Sequence, residues 1–197
     1  MIQSKENNEE DCNNGYERKL AEGKSFLLVR VVTNNFRLTS TIENKKIYMK
    51  NLLNFNLINL TYQTNLDSFE KIKLDIINDT DARVFIRMVH FFKELGLKHR
   101  YICFDIKKIQ DKPESIVFVL TQNPEYGIQV NDSPSAELLP ITHMIYDFKL
   151  VSPHKLNLTQ YIHFDSEVTI PYMIEPLFGI ILKTMFKRTQ KFIEQLK

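Results

Sequence analysis

From Phe26 the chain runs through short apolar segments of strand character. Phe26–Thr33 (FLLVRVVT) is a β-rich run, and Phe36–Ile42 (FRLTSTI) alternates apolar with polar. Asn34-Asn35 between them predicts a tight hairpin, because Asn tolerates positive φ. Between Lys45 and Leu60 the pattern changes. Ile47, Leu52, Leu53, Leu57 and Leu60 fall at helical spacing, which predicts two short helices broken near Asn54–Asn56. After Tyr62 strands return at Phe69–Ile77, Ala82–Phe92, Arg100–Ile109, Ser115–Gln122, Pro140–Val151 and Leu156–Phe164. Turn signals separate them at Asn78–Asp81, around Gly96, at Asp111–Glu114 and at Ser152–His154, while Asn123–Leu139 reads as irregular.

The last segment, from Pro171 to Lys197, carries the clearest helical pattern. Ile174, Leu177, Phe178, Ile181, Met185, Phe192 and Leu196 follow the 3–4 period. Pro176 is tolerated only in a first turn, so the regular helix is expected to begin near Glu175. At the other end, Tyr16–Glu22 reads as a short helix stopped by Gly23. Residues 1–15 have almost nothing to bury and are expected to form a disordered polar tail ahead of one domain, 16–197. The element order gives an α+β class: a curved antiparallel sheet with helices gathered on one side, gripping the C-terminal helix.

A chain of 197 residues with 43% hydrophobic content can bury about 70% of its unfolded surface, enough for one core without staples. Its two cysteines, Cys12 and Cys103, lie far apart without a CxxC, which argues against a disulfide framework and a structural zinc. No run approaches the roughly 18 apolar residues of a bilayer span. The start, MIQSKENNEEDCNN, is polar and acidic, unlike a secretory signal. The expectation is a reduced, cytoplasmic protein. A net charge of +2 is too small to argue for nucleic acid. Residues 183–197 hold five Lys/Arg and one Glu, which suits a solvated helix face or contact with a membrane surface.

Catalytic signatures are absent: no GxGxxG, no phosphate loop, no HExxH, no GxSxG. The five histidines never fall at i, i+2 or i, i+4, although His143 and His163 lie on strands that can meet across a ladder. Ordinary strand histidines are the simpler reading, with no metal. Cys103, inside the apolar strand YICFD, reads as a buried, inert thiol. No cofactor motif appears.

Several segments, in order, resemble a START domain, the lipid-binding module related to the steroidogenic acute regulatory protein, within the helix-grip superfamily. Tyr62-Gln-Thr-Asn-Leu66, entering the strand FEKIKLDII, is similar to the family's Trp-Asp-x-Asn-hydrophobic segment. Arg100-Tyr-Ile-Cys-Phe104 resembles its Arg-Asp-Phe-Val strand start, and Asn123-Pro-Glu-Tyr126 its His-Pro-x-x-Pro turn. LNLTQYIHFD followed by the Pro171 helix resembles the last strand and lid. The likeness spans about 16–197. It departs at Tyr62, where the family has Trp, at Tyr101, where an Asp is usual, and in a stunted first helix.

The resemblance implies an internal apolar cavity closed by the C-terminal helix and holding one lipid, a phospholipid or a sterol, with no cofactor and no catalytic step. In Leu156–Phe164, Gln160 is the single polar member of an apolar face; in Pro140–Val151, Tyr146 carries a hydroxyl on the face with Met144 and Phe148. In Ala82–Phe92, Phe85 shares a face with Arg87, whose position matches a site where the family often buries a charge. Arg87 would then pair with a phosphate or hydroxyl; its alternative is an ion pair with an acid on a neighbouring strand. Phe178, Ile181 and Met185 of the lid would touch the ligand. Phe92, Leu95 and Leu97, flanked by Lys93, Lys98 and Arg100, have the composition of a tip that docks transiently on an anionic membrane. Other helix-grip proteins remain as alternatives: an enzyme of polyketide-cyclase type, using His143 or His163 with Asp147, or a coenzyme-binding or interaction module.

Overall fold

The computed structural model describes residues 17–90, 93–96, 98–167 and 175–197. Ten strands form one sheet: β1 (Arg18–Gly23), β2 (Phe26–Val32), β3 (Asn35–Glu43), β4 (Phe69–Ile76), β5 (Asp81–Met88), β6 (Arg100–Lys112), β7 (Ser115–Gln122), β8 (Glu137–Leu138), β9 (Ile141–Ser152) and β10 (Lys155–Phe164). The order is β1-β2-β3-β10-β9-β7-β6-β5-β4, antiparallel throughout, and the two-residue β8 adds a parallel pairing to β6. The sheet is not closed, so β1 and β4 are its edges. Three helices, α1 (Phe55–Gln63), α2 (Pro124–Val130) and α3 (Glu175–Gln195), complete the described chain.

Strand alternation decides which side is core. In β3 the burial pattern places Phe36, Leu38, Ser40 and Ile42 on one face; in β10 the matching face is Leu156, Leu158, Gln160 and Ile162. With Met144 and Phe148 of β9 these residues meet α1 and α3 in one large cluster. The hairpin between β2 and β3 turns at Asn34, whose φ is +64°, as its residue type predicts. Asn54 caps α1 by accepting from Asn56 N at 2.8 Å, which is where the helical pattern breaks.

Three elements differ from the sequence expectation. Within the expected helix, Arg18–Gly23 is strand β1, because pairing with β2 supplies its backbone with partners that a seven-residue helix lacks. The expected helix before Asn54 shrinks to a 3-10 turn at Met49–Leu52. There the backbone is tied to the β9–β10 turn instead, with Met49 N donating to Pro153 O at 2.8 Å and His154 Nδ1 2.8 Å from Ile47 O.

The third difference is α2, within the stretch read as irregular. Asn123 accepts from Tyr126 N at 2.9 Å and Pro124 opens the first turn, a strong local start. This short helix covers a second cluster of Phe85, Tyr101, Cys103, Tyr126 and Ala136 on the outer face of the sheet. Gly127 makes the close approach possible: a Cβ there would lie 2.6 Å from Cys103 Sγ and 2.9 Å from the Tyr101 ring. Cys103 Sγ donates to Asn123 O at 2.9 Å and is not free to swing aside. Gly127→Ala is therefore expected to cost about 2 kcal/mol of stability through overpacking. Adding Cys103→Ala, which removes the sulfur, should recover part of it. A urea series on the two single variants and the double would reveal that coupling, and strict additivity would refute it.

Candidate functional site

A cavity of about 90 Å³ lies between α1, α3 and the inner face of β3, β9 and β10. Its wall is mainly apolar, with Leu38, Leu57, Phe148, Leu158 and Phe186 among the lining residues. Tyr146 and Gln160 face it from directly opposed positions on β9 and β10, and Tyr62 reaches it from the last turn of α1. Gln160 is only 8% exposed, and its amide finds no better partner than Met144 Sδ at 3.8 Å. Among the described residues, neither the Tyr62 nor the Tyr146 hydroxyl has a hydrogen-bond partner. Burial pushes the Tyr146 phenol above its ordinary pKa; Tyr62 rises well above its own, through burial first and the neighbouring Tyr146 second. Both remain neutral at physiological pH. The cavity's two threonines are already engaged: Thr61 donates to Leu57 O and Thr189 to Met185 O.

The roof of this cavity, α3, is held at three levels. At its start Glu175, 1% exposed, accepts from Arg30 at 2.6 Å and from Arg18 at 3.1 Å, tying the helix to β1 and β2. Midway, the Asn65 amide donates to Met185 O at 3.2 Å and Thr189 Oγ1 at 3.3 Å, beside a 2.9 Å contact between the Thr64 and Thr189 hydroxyls. Near its end Asn44 Nδ2 donates to Ile193 O at 2.6 Å and Leu196 O at 2.9 Å, satisfying carbonyls the helix leaves open. At Gly179 α3 packs on β1 with room to spare: a Cβ there would lie 3.6 Å from Ala21 Cβ, an ordinary contact.

The structure brings Tyr146, Gln160 and Met185 together around the cavity. Phe178 is half-buried beside it, edge-on to Phe36 at 5.4 Å and Phe164 at 5.8 Å. Ile181 is half-buried on α3 but does not line the cavity. Phe85 and Arg87 are on the other side of the sheet, a correction to their inward placement. Phe85 belongs to the cluster under α2, and Arg87 pairs with Asp132 and, at 3.0 Å, with Glu70 of the neighbouring strand β4. Both faces of β5 are buried, so alternation alone could not say which one meets the cavity. Phe92 and Leu97 lie outside the described residues, as does the start of the lid segment at 171–174; of Leu95 only the backbone is described, in a 3-10 turn at Lys93–Leu95. Tyr62, noted in the sequence only for its place in the Tyr62–Leu66 segment, lines the cavity, as do Leu182, Phe186 and Thr189, which were not singled out in the sequence. The last three share Met185's face at i, i+3, i+4 and i+7, a stripe disguised by the polar Thr189.

His143 and His163 do meet across the β9–β10 ladder, their rings stacked at 4.0 Å. They alternate with Met144 and Ile162 and so occupy the outer face, as does Asp147; none of the three lines the cavity. Among the described residues no three His, Cys, Asp or Glu side chains converge as a metal site. Partial burial, then the proximity of His143, lowers the His163 pKa below its ordinary value. The unfolded chain thus binds this proton more readily than the folded one. Stability is expected to be full above about pH 6.5 and to decline as pH falls through the depressed folded pKa. Thermal melts of the wild type and His163→Gln between pH 7.5 and 5.5 test this, and identical slopes would discard it.

No family model and no curated protein matches the sequence. Solved structures match over almost the whole chain. The lipid transfer and protein localization domain of human StarD13 superposes with a TM-score of 0.68 at 10% identity, covering 92% of this chain and 90% of that one. A STAR-related lipid transfer protein from Xanthomonas axonopodis gives 0.68 at 8% identity, covering 91% and 99%. Human STARD10 gives 0.68 at 9% identity, covering 92% and 75%. The chain has a START-like helix-grip fold. Within the START-like fold the long helix lying against the sheet is α3, and the cavity described above sits beneath it. No described helix is long and apolar enough to cross a membrane.

Proposed function

We propose that this START-like chain binds one lipid under α3 and transfers it between membranes, without a catalytic step. The observation that carries the reading is the apolar cavity whose Tyr146–Gln160 pair offers hydrogen-bonding groups with no protein partner of ordinary strength. Solved domains with this fold that are named for lipid transfer support it. The acid–base alternative loses its residues, because His143, His163 and Asp147 are on the opposite face of the sheet.

Size dictates the mechanism. Pockets for molecules of drug or lipid size hold about 300–1,000 Å³, against about 90 Å³ here. Loading therefore requires α3 to rise from the sheet. Each methylene withdrawn from water gains roughly 0.8 kcal/mol, and a bilayer gives nearly the same, so transfer of the chain itself is almost neutral. Polar contacts must then decide which lipid is taken. Exchange would occur during transient membrane contact through the Phe92, Leu95 and Leu97 tip. Leu95→Asp with Leu97→Asp is expected to lower vesicle association and transfer severalfold without altering the melting temperature; undiminished vesicle binding would eliminate that tip.

Native mass spectrometry of the purified protein, with lipid identification after organic extraction, tests the central reading. One lipid per chain is the expected result. A protein that arrives empty and also extracts nothing from mixed vesicles would overturn it.

A further inference from the structure

We propose that the cavity selects lipid alcohols, gripping an uncharged hydroxyl with Tyr62, Tyr146 and Gln160, and rejects lipids with phosphate or carboxylate head groups. This rests on the lipid-binding reading and goes beyond it by naming the chemical class of the ligand.

The first argument is the charge of the wall. Among the described residues, none that lines the cavity is Asp, Glu, Lys, Arg or His. Among the described residues, Glu175 is the only fully charged type in the buried set, and Arg18 and Arg30 already neutralise it. Arg87, the guanidinium most suited to a phosphate, faces outward and is held by Glu70 and Asp132. An anion entering the cavity would lose its water and meet no counter-charge, which proteins avoid. A cationic head would find no carboxylate.

The second argument is hydrogen-bonding capacity. Tyr62 is 6% exposed and Gln160 8%, yet neither side chain has a protein partner of ordinary strength. Buried polar groups are almost always satisfied, so such a cluster needs explaining. A hydroxyl both donates and accepts; a phenol does the same, and the Gln160 amide offers a carbonyl and an NH2 group. One ligand hydroxyl can accept from a tyrosine while donating to the Gln160 carbonyl. Tyr146 and Gln160 oppose each other across the β9–β10 ladder, so the sheet itself fixes their spacing.

Matched pairs separate head group from chain. Vesicles doped with dioleoylglycerol or dioleoylphosphatidate, and with cholesterol or cholesterol sulfate, present the same apolar bodies with a hydroxyl or an anion. Competition for the protein is expected to favour the alcohol at least tenfold within any pair that binds. Equal uptake of the anionic member would overturn the proposal and leave lipid binding standing. Uptake of none of the four, nor of any vesicle lipid, would overturn both. Tyr146→Phe and Gln160→Leu supply a second readout. Each removes a polar group that faces the cavity without a protein partner of ordinary strength, so the empty protein should melt no lower than wild type while its preference for the alcohol falls at least fivefold. Variants that melt lower and keep the preference would show these groups to be structural.

Discussion

Joining β1 to α3 with a disulfide, by Ala21→Cys and Gly179→Cys, is expected to abolish lipid uptake in the oxidised protein and to restore it on reduction. The separation of 3.6 Å between Ala21 Cβ and a Cβ at position 179 falls in the range a disulfide needs. The same Cβ would lie 3.5 Å from Leu20 O, an ordinary contact, so the cysteine fits without displacing backbone. Cys103 should not interfere: it is buried, and burial pushes its thiol pKa up to about 11. A Cys12→Ser background removes the other thiol. Closing so long a loop would stabilise the fold by up to about 5 kcal/mol, so loss of uptake would not reflect unfolding. Transfer between vesicles should drop at least tenfold. Uptake at the wild-type rate in the oxidised protein would mean that lipid enters without α3 leaving β1.

The second large effect is expected at Glu175. Its carboxylate is 1% exposed between two guanidinium groups, so Glu175→Gln leaves two like charges facing a neutral amide. Removing one partner from a buried ion pair costs about 3–5 kcal/mol, and the value here should be near 3 because Arg18 can still reach water. Arg18→Ala, at a residue 33% exposed, should cost less, about 1 kcal/mol, since Arg30 still neutralises the carboxylate. Urea unfolding measures both. An unchanged midpoint for Glu175→Gln would show that the ion pairs contribute little to seating α3. Because Glu175 opens the helix that roofs the cavity, the same variant should release bound lipid faster, whereas one acting on stability alone would leave the release rate unaltered.

Much of this fold was legible because local pattern and tertiary demand agree. Ser115–Gln122 is a run of β-favouring apolar residues and is strand β7 over the same residues. Asn34 adopts the positive φ that its type tolerates, and Pro176 sits in the first turn of α3. The cavity lining was legible where a polar group stands on an apolar face, as Gln160 does among leucines and isoleucine and Tyr146 does between Met144 and Phe148. It was illegible where the interruption falls within a helix, as at Thr189, or where both faces of a strand are buried, as at Phe85 and Arg87 in β5. Outward-facing Phe85 looks no different from an inward one until α2 is found to cover it.

Two kinds of information thus divide the protein. Periodicity, caps and turn residues are properties of neighbours in the chain, and they determined the α+β class, most strands, the break at Asn54 and the long final helix. Which strand lies beside which, which face meets α3, and whether Arg18–Gly23 extends or coils depend on contacts between residues far apart in sequence. Those choices are made by burial and backbone pairing over the whole molecule. For that reason only the tertiary structure could turn Arg87 outward, stack His143 on His163, and set Tyr62, Tyr146 and Gln160 around one small uncharged cavity.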